Sequence, residues 1–331
     1  MCPQLTVGIP IFNGMPHLRQ AIESVLGQTL SDFEVLAIDD GSEDDTLDYL
    51  SSLTDPRLRI VTQPNRGVTT TLNRLLTEAN SPWLVRLDAD DLASPDRLHI
   101  VTDFIRRFPQ AGMFYSRAQH LGHDSSIALT RCTEATPVEI RRITTEGYLL
   151  AVCHSTVVLN IQKALDLGGY RFDYLVEDRD LWWRMALAHE IVFIPEVTAQ
   201  YRLHESSVCA QNIAEVWTNT LYAQYLLLSH LWGLTPSDHD YVFPSLERLL
   251  SQKSIPYRLA MYRAAISLGE RNYIPAVRNV VAAAIHSPVR TFRRCIYPFH
   301  HSEQVKVGER PGLFKRYSEH LWPSDCSRLI A

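Results

Sequence analysis

The feature that most constrains the fold is the alternation of strand-like and helix-like segments over the first 110 residues. Strand-like runs occupy residues 5–10, 33–38, 58–62 and 83–87, and helical periodicity follows each of them, at residues 16–28, 44–53, 68–79 and 95–108. In the first helical segment, for example, Leu18, Ala21, Ile22 and Val25 fall on one face. This alternation predicts an α/β layered fold with a mostly parallel central sheet flanked by helices.

The second half of the chain changes character. Strand-like runs at residues 113–119, 191–194 and 198–203 are mixed with helical segments at 161–167 and 181–188. Beyond about residue 210 the periodicity is almost wholly helical, at residues 213–232, 241–252, 256–268 and 273–286. The sequence therefore predicts an α/β domain over residues 1–210 and a helical C-terminal region over residues 211–331.

Composition favours a folded intracellular protein. The chain has 331 residues, of which 46% are hydrophobic, and its six cysteines include no CxxC pair that would indicate a zinc site. Scattered thiols suit a reducing cytoplasm, and no basic-then-apolar leader is visible at the N-terminus. The longest apolar stretch, residues 221–228, is shorter than the about 20 residues that span a bilayer. We therefore expect a cytoplasmic protein.

The charge is distributed unevenly along the chain. Residues 1–252 carry 19 Lys and Arg against 32 Asp and Glu, a net charge of −13, whereas residues 253–331 carry 13 against 5, a net +8. In this basic C-terminal segment the arginines alternate with apolar residues: Arg258, Arg263, Arg278, Arg290, Arg293 and Arg294. The pattern is typical of a helix that lies on an anionic membrane, and equally of a solvated face or a homodimer surface. We expect no nucleic-acid partner.

Polar clusters directly follow the four strand-like runs of the first half. They are residues 10–13 (Pro-Ile-Phe-Asn), 39–42 (Asp-Asp-Gly-Ser), 65–67 (Asn-Arg-Gly) and 88–91 (Asp-Ala-Asp-Asp). Each alone is ordinary turn or cap chemistry, but the carboxyl ends of parallel strands line one crevice, where ligands bind. The crevice would gather five carboxylates, from Asp39, Asp40, Asp88, Asp90 and Asp91.

Such a crowd of carboxylates predicts a bound cation. Like charges repel and raise one another's pKa unless a cation neutralises them, and Asp-x-Asp oxygens suit Mg²⁺ or Mn²⁺. No glycine-rich phosphate loop of the GxxxxGK[ST] or GxGxxG type occurs. The sequence therefore predicts that a metal ion, not a glycine-rich loop, holds a diphosphate here.

Six motifs in order resemble those of family 2 glycosyltransferases of the GT-A fold. They lie at residues 7–14, 21–29, 38–42 (Ile-Asp-Asp-Gly-Ser), 87–91 (Leu-Asp-Ala-Asp-Asp), 167–182 (Leu-Gly-Gly-Tyr, then Val-Glu-Asp-Arg-Asp-Leu-Trp) and 201–204 (Tyr-Arg-Leu-His). The resemblance covers about 200 residues. It implies an inverting enzyme that moves one sugar from a UDP-, GDP- or dTDP-linked donor to a glycan or lipid-linked acceptor hydroxyl, in cell-surface polysaccharide or glycolipid synthesis.

The resemblance also implies roles for individual residues. The nucleotide-sugar would contact Pro10, Asn13, Asp40, Asn65, Arg66, Gly67 and Asp88. Asp90 and Asp91 would hold Mn²⁺ or Mg²⁺, with His204 facing the metal or a phosphate. Asp178 would be the catalytic base, with Glu177 and Trp182 on the acceptor side. The absence of Gln-x-x-Arg-Trp, which processive members carry, favours transfer of a single sugar, and a lipid-linked acceptor would place the enzyme at the inner face of the membrane.

Alternatives remain open at several positions. An acceptor hydroxyl needs a base, and Asp178 stands near a helix start that favours its ionised form, but Glu177 and Asp178 could simply cap that helix. His204 could be an ordinary polar residue. The run Thr71-Leu72-Asn73 departs from a family pattern that carries an arginine, which Arg66 would replace. The rival function is a non-catalytic nucleotide-sugar-binding protein of the same fold.

Overall fold

The computed structural model describes residues 3–121, 130, 132–250, 254–269, 272–287 and 306–325. The first half contains β1 (Thr6–Ile11), α1 (Leu18–Leu26), β2 (Glu34–Asp39), α2 (Thr46–Ser51), β3 (Leu58–Thr62), α3 (Val68–Glu78), β4 (Trp83–Arg86), β5 (Leu92–Ala93), α4 (Arg97–Arg107) and β6 (Ala111–His120). Every strand and helix predicted before residue 120 is present, with ends within a few residues of the prediction.

The rest of the chain adds further helices and shorter strands. It contains α5 (Pro137–Thr145), β7 (Leu149–Leu150), a 3₁₀ turn (His154–Thr156), β8 (Val158–Asn160), α6 (Ile161–Asp166), α7 (Glu177–Ala188) and β9 (Glu190–Tyr201). Then follow α8 (Val208–Gln211), α9 (Ile213–Trp232), α10 (His239–Leu249), α11 (Ser254–Gly269), α12 (Tyr273–His286), β10 (Lys306–Val307), α13 (Pro311–Arg316) and α14 (Ser318–Leu321).

The central sheet has the strand order β3-β2-β1-β4-β8-β6-β9-β5. The first four strands are parallel, so the segments after β1, β2, β3 and β4 all leave the sheet at the same edge. Beyond β4 the sheet is mixed, because β8 is antiparallel to both β4 and β6, while β9 is parallel to β6 and antiparallel to β5. The predicted α/β fold is confirmed, and its parallel part is the half that carries the four polar clusters.

One pair of predicted strands is in fact a single strand. Residues 191–194 and 198–203 were expected to be separate, but β9 runs unbroken through Pro195, and the register against β6 shifts near Arg117. Proline has no N–H to donate to the ladder, and strands accommodate it at such irregularities. The shift frees the Pro195 carbonyl, which accepts a hydrogen bond from Arg117 Nη1 at 2.9 Å.

The helical region is joined to the sheet domain through α9. This helix is apolar on nearly all sides and contributes Leu221, Tyr225 and Leu228 to a buried cluster with Trp183 of α7. The chain returns to it near the C-terminus, where the Trp322 indole N–H donates to Ser229 Oγ at 2.8 Å. Among the described residues no helix is both long and apolar enough to cross a membrane. The predicted domain boundary at residue 210 stays a prediction.

Candidate active site

The first two polar clusters meet at the carboxyl edge of the sheet. Asn13, after β1, donates its backbone N–H to Ser42 Oγ at 2.8 Å, and its side-chain Oδ1 accepts from the Glu43 N–H at 2.8 Å. Asn13 adopts the left-handed conformation, with φ 50°, which asparagine tolerates better than most residues. Pro10 is half-buried one strand position before this edge, opposite Ile38 of β2.

Asp40 connects the second cluster to the third. Its Oδ1 accepts from Gln63 Nε2 at 2.6 Å and from the Arg66 backbone N–H at 2.8 Å, and the residue is 4% exposed. Gly41 has φ 75°, and a Cβ there would come within 2.7 Å of the Asn65 nitrogen, so only glycine fits. Asp40 therefore fixes the loop that presents the exposed side chains of Asn65 and Arg66, and that loop ends at Gly67, the N-cap of α3.

Asp88 is held by two residues that the sequence analysis did not single out. Arg86 Nη2 lies 2.6 Å from Asp88 Oδ1, and Ser155 Oγ donates to Asp88 Oδ2 at 2.8 Å. Burial alone would raise the pKa of Asp88, but Arg86, His154 and the Ser155 hydroxyl bring it below the usual value. Asp88 is therefore ionised at neutral pH.

Asp90 and His204 lie together, as the metal prediction requires. His204 Nε2 is 2.9 Å from Asp90 Oδ2, and its Nδ1 is 2.7 Å from Ser206 Oγ. The backbone carbonyl of Asp90 also accepts from Arg202 Nε at 2.8 Å. The late Tyr-Arg-Leu-His motif thus contacts the Asp-x-Asp segment directly.

Asp91 is fully buried, and only one of its two carboxylate oxygens has a hydrogen-bond partner among the described residues. Its Oδ1 accepts from the Arg202 N–H at 2.8 Å, whereas its Oδ2 has no partner among the described residues. Burial, together with the charges of Asp88 and Asp90, raises its pKa well above the usual range. A cation beside these carboxylates would neutralise the repulsion between their charges and would give Asp91 Oδ2 a partner.

The carboxylate and imidazole groups of Asp90, Asp91 and His204 are ligand types that suit Mg²⁺ or Mn²⁺, although they are not arranged around one point. Within the part of the chain that the structure describes, no group of three or more His, Cys, Asp and Glu side chains is placed to hold a metal ion. Mg²⁺ ordinarily keeps waters and substrate phosphates as ligands and needs only one or two carboxylates. The metal role of Asp90, Asp91 and His204 stays a prediction.

The acceptor-side carboxylates stand in the first turn of α7. The N-cap of this helix, Val176, has φ 79°, a left-handed conformation that is strained for a β-branched residue and typical of functional sites. Burial, reinforced by the neighbouring Asp178 charge, raises the pKa of Glu177 to about 8. Burial also raises the pKa of Asp178, whose Oδ1 accepts from the Arg179 N–H at 2.7 Å. Burial therefore favours the protonated form of both carboxyls.

Trp182 lies on α7, one helical turn after Asp178. Its indole is 1% exposed and packs edge-on against His154, with ring centroids 5.4 Å apart. Burial lowers the pKa of His154 well below its usual value, so this imidazole is neutral. The indole N–H lies near enough to Asp178 to favour its ionised form, yet it makes no hydrogen bond of acceptable geometry.

Asn73, in the run at residues 71–73, joins α3 to the loop that precedes α7. Its Nδ2 donates to the Tyr170 carbonyl at 2.7 Å, and its Oδ1 accepts from the Tyr170 N–H at 3.0 Å. Gly169, before that tyrosine, has no room for a Cβ, which would lie 2.4 Å from Asn73 Oδ1. Thr69 Oγ1 also donates to the Phe172 carbonyl at 2.7 Å. Helix α3, on the donor side, therefore holds the loop that leads to Glu177.

The raised pKa of Glu177 predicts how stability depends on pH. The folded protein retains a proton on Glu177 up to about pH 8, whereas the unfolded chain releases it near the ordinary value of 4.5. The stabilisation is thus fully present below about pH 4.5 and is lost as the pH rises towards 8. We expect the melting temperature of the wild type to fall over this window relative to that of Glu177→Gln, which cannot ionise. The exposed Glu190→Gln is the matched control, and parallel curves for wild type and Glu177→Gln would contradict this assignment.

Comparisons with known proteins agree on one family. The Glycosyl transferase family 2 model matches residues 6–168. Chondroitin synthase of Escherichia coli is 29% identical over 127 residues, which is 38% of this chain and 18% of that one. A putative glycosyltransferase of Bacillus subtilis, EpsE, is 28% identical over 192 residues, 55% of this chain and 66% of that one. The chain thus spans less than a fifth of the chondroitin synthase length.

Solved structures share the fold. S. aureus TarS 1–349 in complex with UDP-GlcNAc superposes with a TM-score of 0.54 at 15% identity, covering 86% of this chain and 92% of that one. The mannosyltransferase PcManGT of Pyrobaculum calidifontis, in complex with GDP-Man and Mn²⁺, gives a TM-score of 0.53 at 16% identity, covering 91% and 82%. The sheet order, the strand-end motifs and the match over residues 6–168 lead to one conclusion: this chain belongs to glycosyl transferase family 2 and has the GT-A fold.

Proposed function

We propose that this protein transfers one sugar from a nucleotide-diphospho-sugar to an acceptor hydroxyl with inversion at the anomeric carbon. The observation that carries the proposal is a chain of contacts that joins the strand ends to α7. Ser155 Oγ donates to Asp88 Oδ2 at 2.8 Å, and the neighbouring His154 packs against Trp182 of α7, with ring centroids 5.4 Å apart. These contacts support a single crevice between the strand-end motifs and α7.

The donor would lie along the carboxyl edge of the parallel strands. Exposed Asn13, Asn65 and Arg66, the buried Asp40 and the adjacent Pro10 and Gly67 would form its nucleoside side, and Asp88 its ribose side. The two structural neighbours are in complex with UDP-GlcNAc and with GDP-Man, which supports a nucleotide-sugar here. The donor would carry UDP, GDP or dTDP.

Asp90 and Asp91, with His204, would hold a divalent cation, and the Mn²⁺ in one neighbour supports this choice. When bound, Mn²⁺ or Mg²⁺ supplies the positive charge that stabilises a diphosphate leaving group. The fully buried Asp91 carboxylate and its unpaired oxygen support a role for both aspartates rather than for Asp90 alone.

Asp178 would act as the base. The acceptor hydroxyl gives its proton to the Asp178 carboxylate, its oxygen forms a bond to the anomeric carbon, and the bond to the diphosphate breaks with its electron pair. Glu177 keeps its proton near neutral pH because its pKa is about 8, while the Arg179 N–H bond favours the ionised form of Asp178. A single base without a protein nucleophile requires direct displacement, and direct displacement inverts the anomeric centre.

Donor binding tests the proposal directly. A panel of UDP-, GDP- and dTDP-sugars is added to the protein with and without Mn²⁺, and the melting temperature is followed. A ligand at 100 times its Kd adds about 2.7 kcal/mol of stability, so one nucleotide should raise the melting temperature clearly. The absence of any shift would overturn the proposal. A shift without donor hydrolysis or transfer would instead favour the non-catalytic binding protein.

We also propose that α12 rests on an anionic membrane, where a lipid-linked acceptor would be available for polysaccharide or glycolipid synthesis. Ile274, Val277, Val281 and Ile285 recur along one face of α12 and are 56–84% exposed.

Helices α11 and α12 contain no acidic residue and carry Arg258, Arg263 and Arg278. Arg290, Arg293 and Arg294 lie outside the described residues. An apolar stripe beside basic residues suits the surface of an anionic bilayer, where apolar side chains enter the acyl boundary and arginines meet the headgroups.

Flotation with phosphatidylglycerol vesicles checks this surface. We expect the wild type to float with the vesicles, increasingly so at low salt, and the triple variant Ile274→Ser, Val277→Ser, Ile285→Ser to lose most of that binding. Val138→Ser is the control, because Val138 is an equally exposed valine on α5, far from the basic C-terminal segment in sequence. A wild type that does not float but forms a dimer that the triple variant breaks would establish a homodimer surface instead.

A further inference from the structure

Helix α11 contacts the turn that follows the Tyr-Arg-Leu-His motif. Arg258 and Tyr262 are four residues apart and therefore lie on one face of α11. The Arg258 guanidinium carbon lies 3.4 Å from the ring centroid of Trp217 on α9, and the Tyr262 hydroxyl lies 3.1 Å from Ser207 Oγ. These two contacts hold α11 against α9 and against the segment that leaves the central sheet after β9.

The turn at residues 204–207 holds the His204 ring. The Ser207 N–H donates to the His204 carbonyl at 3.3 Å, which closes the turn, and His204 Nδ1 lies 2.7 Å from Ser206 Oγ. The Nε2 atom of the same ring is thereby directed at Asp90 Oδ2, 2.9 Å away. A hydrogen bond at one ring nitrogen sets the orientation and tautomer of an imidazole, so this turn determines how His204 meets the Asp-x-Asp segment.

The Tyr262 hydroxyl joins this turn to the helical region. Burial raises the pKa of Tyr262, so its hydroxyl is protonated at neutral pH and can donate to Ser207 Oγ. Ser207 Oγ also accepts from the Ala210 N–H at 3.3 Å, as the N-cap of α8. The contacts are therefore continuous from α11 to the carboxylate: from the hydroxyl to Ser207, through the closed turn to His204, and from its ring to Asp90.

We propose that Tyr262 is a positioning residue for the metal and diphosphate end of the crevice, acting through Ser207 on His204. The proposal rests on the proposed transferase function, which assigns the cation to Asp90, Asp91 and His204. Residues that orient a metal-binding histidine change the metal affinity without touching the ion. Helix α11 thereby contributes to donor binding, although it carries none of the strand-end motifs.

Histidine-ring NMR of the metal-free, full-length protein tests the positioning step. We expect Tyr262→Phe, which removes only the hydroxyl, to shift the ring ¹⁵N signals of His204, identified by their loss in His204→Gln. Tyr257→Phe is the matched control, because Tyr257 is a buried tyrosine of α11 that packs in a cluster with Ala283 of α12. It should leave the His204 signals in place. Unchanged His204 signals in Tyr262→Phe would overturn the inference, whether or not nucleotides bind.

Mn²⁺ binding, followed by electron paramagnetic resonance, tests the effect on the metal. The titration is run with Mn²⁺ alone and with Mn²⁺ plus each of UDP, GDP and dTDP. Tyr262→Phe should weaken Mn²⁺ affinity about two- to tenfold, the effect of losing one hydrogen bond. Ser207→Ala should cause a similar loss, and the double variant should lose no more than either single variant, because both remove the same contact. Equal Mn²⁺ affinity in wild type and Tyr262→Phe, or losses that add in the double variant, would contradict the inference.

The outcomes separate this inference from the proposed function. If the proposed function fails, no nucleotide raises the melting temperature of the wild type, while Tyr262→Phe still shifts the His204 signals and weakens the binding of Mn²⁺ alone. A Tyr262→Phe variant that binds Mn²⁺ and donor more weakly, but keeps wild-type turnover when both are saturating, supports both.

Discussion

Asp178→Asn should lower turnover by about 10²–10⁴-fold, the usual contribution of a general base. The amide cannot accept the acceptor's proton, yet it preserves the shape of the side chain and can still accept the Arg179 N–H bond. Donor affinity should stay within a few-fold, because Asp178 stands in α7 rather than at the strand ends that would hold the nucleotide. Initial rates of donor consumption and a donor titration, run on the same preparation, measure the two effects.

The control for this experiment is Asp166→Asn, an exposed aspartate at the end of α6. It should retain wild-type turnover and donor affinity. An Asp178→Asn variant that turned over normally, or one that lost donor binding instead of turnover, would remove Asp178 from the role of base.

Asp90→Asn should abolish the metal dependence of donor binding while the protein remains folded. The loss of donor affinity in Mn²⁺ should exceed about 10–100-fold, the usual effect of removing a residue that only supports a metal ligand, because Asp90 would be a direct ligand. Titration with UDP- and GDP-sugars in Mn²⁺, repeated after chelation, measures this donor affinity. Chelation should weaken donor binding to the wild type and leave donor binding to the variant unchanged.

Asp103→Asn on α4 is the matched control, since its side chain is 69% exposed and pairs with Arg106 of the same helix. Its donor affinity in Mn²⁺ should equal that of the wild type. Undiminished Mn²⁺-dependent binding by Asp90→Asn would show that the cation is held elsewhere.

The strand-end part of the site was predictable because it depends on local pattern. Apolar runs of four to six residues followed by polar clusters indicate parallel strands and their exits, and β1 to β4 place those exits at one edge. Periodicity also located most of the long helices, and α9 and α12 begin and end at the predicted residues, whereas α5 was not predicted.

The supporting residues were not predictable, because they come from segments with weak local signals. Ser155 and His154 belong to a 3₁₀ turn before the three-residue strand β8, yet they contact Asp88 and Trp182, which are distant in sequence. Asn73 and Tyr170 meet only after the chain has folded. One sequence signal did exist: Arg86 is charged within an otherwise apolar strand, and a buried charge needs a partner.

The C-terminal region shows the same limit more strongly. Periodicity locates α9, but it cannot distinguish Asn219, whose Nδ2 has no partner among the described residues, from any other polar residue in an apolar helix. Likewise, the charge count of the basic C-terminal segment does not distinguish a membrane-bound surface from a solvated face or a homodimer surface. The exposed apolar residues of α12 define a surface that can be mutated.

The most direct measurement for the central claim is the configuration of the first sugar released from an α-linked nucleotide-sugar. With Mg²⁺ present and water as the acceptor, proton NMR can observe the product before its anomers equilibrate. Direct displacement by a base-activated oxygen predicts that the β-anomer forms first and that Asp178→Asn slows its appearance. Release of the α-anomer first would contradict the inverting mechanism derived from Asp178.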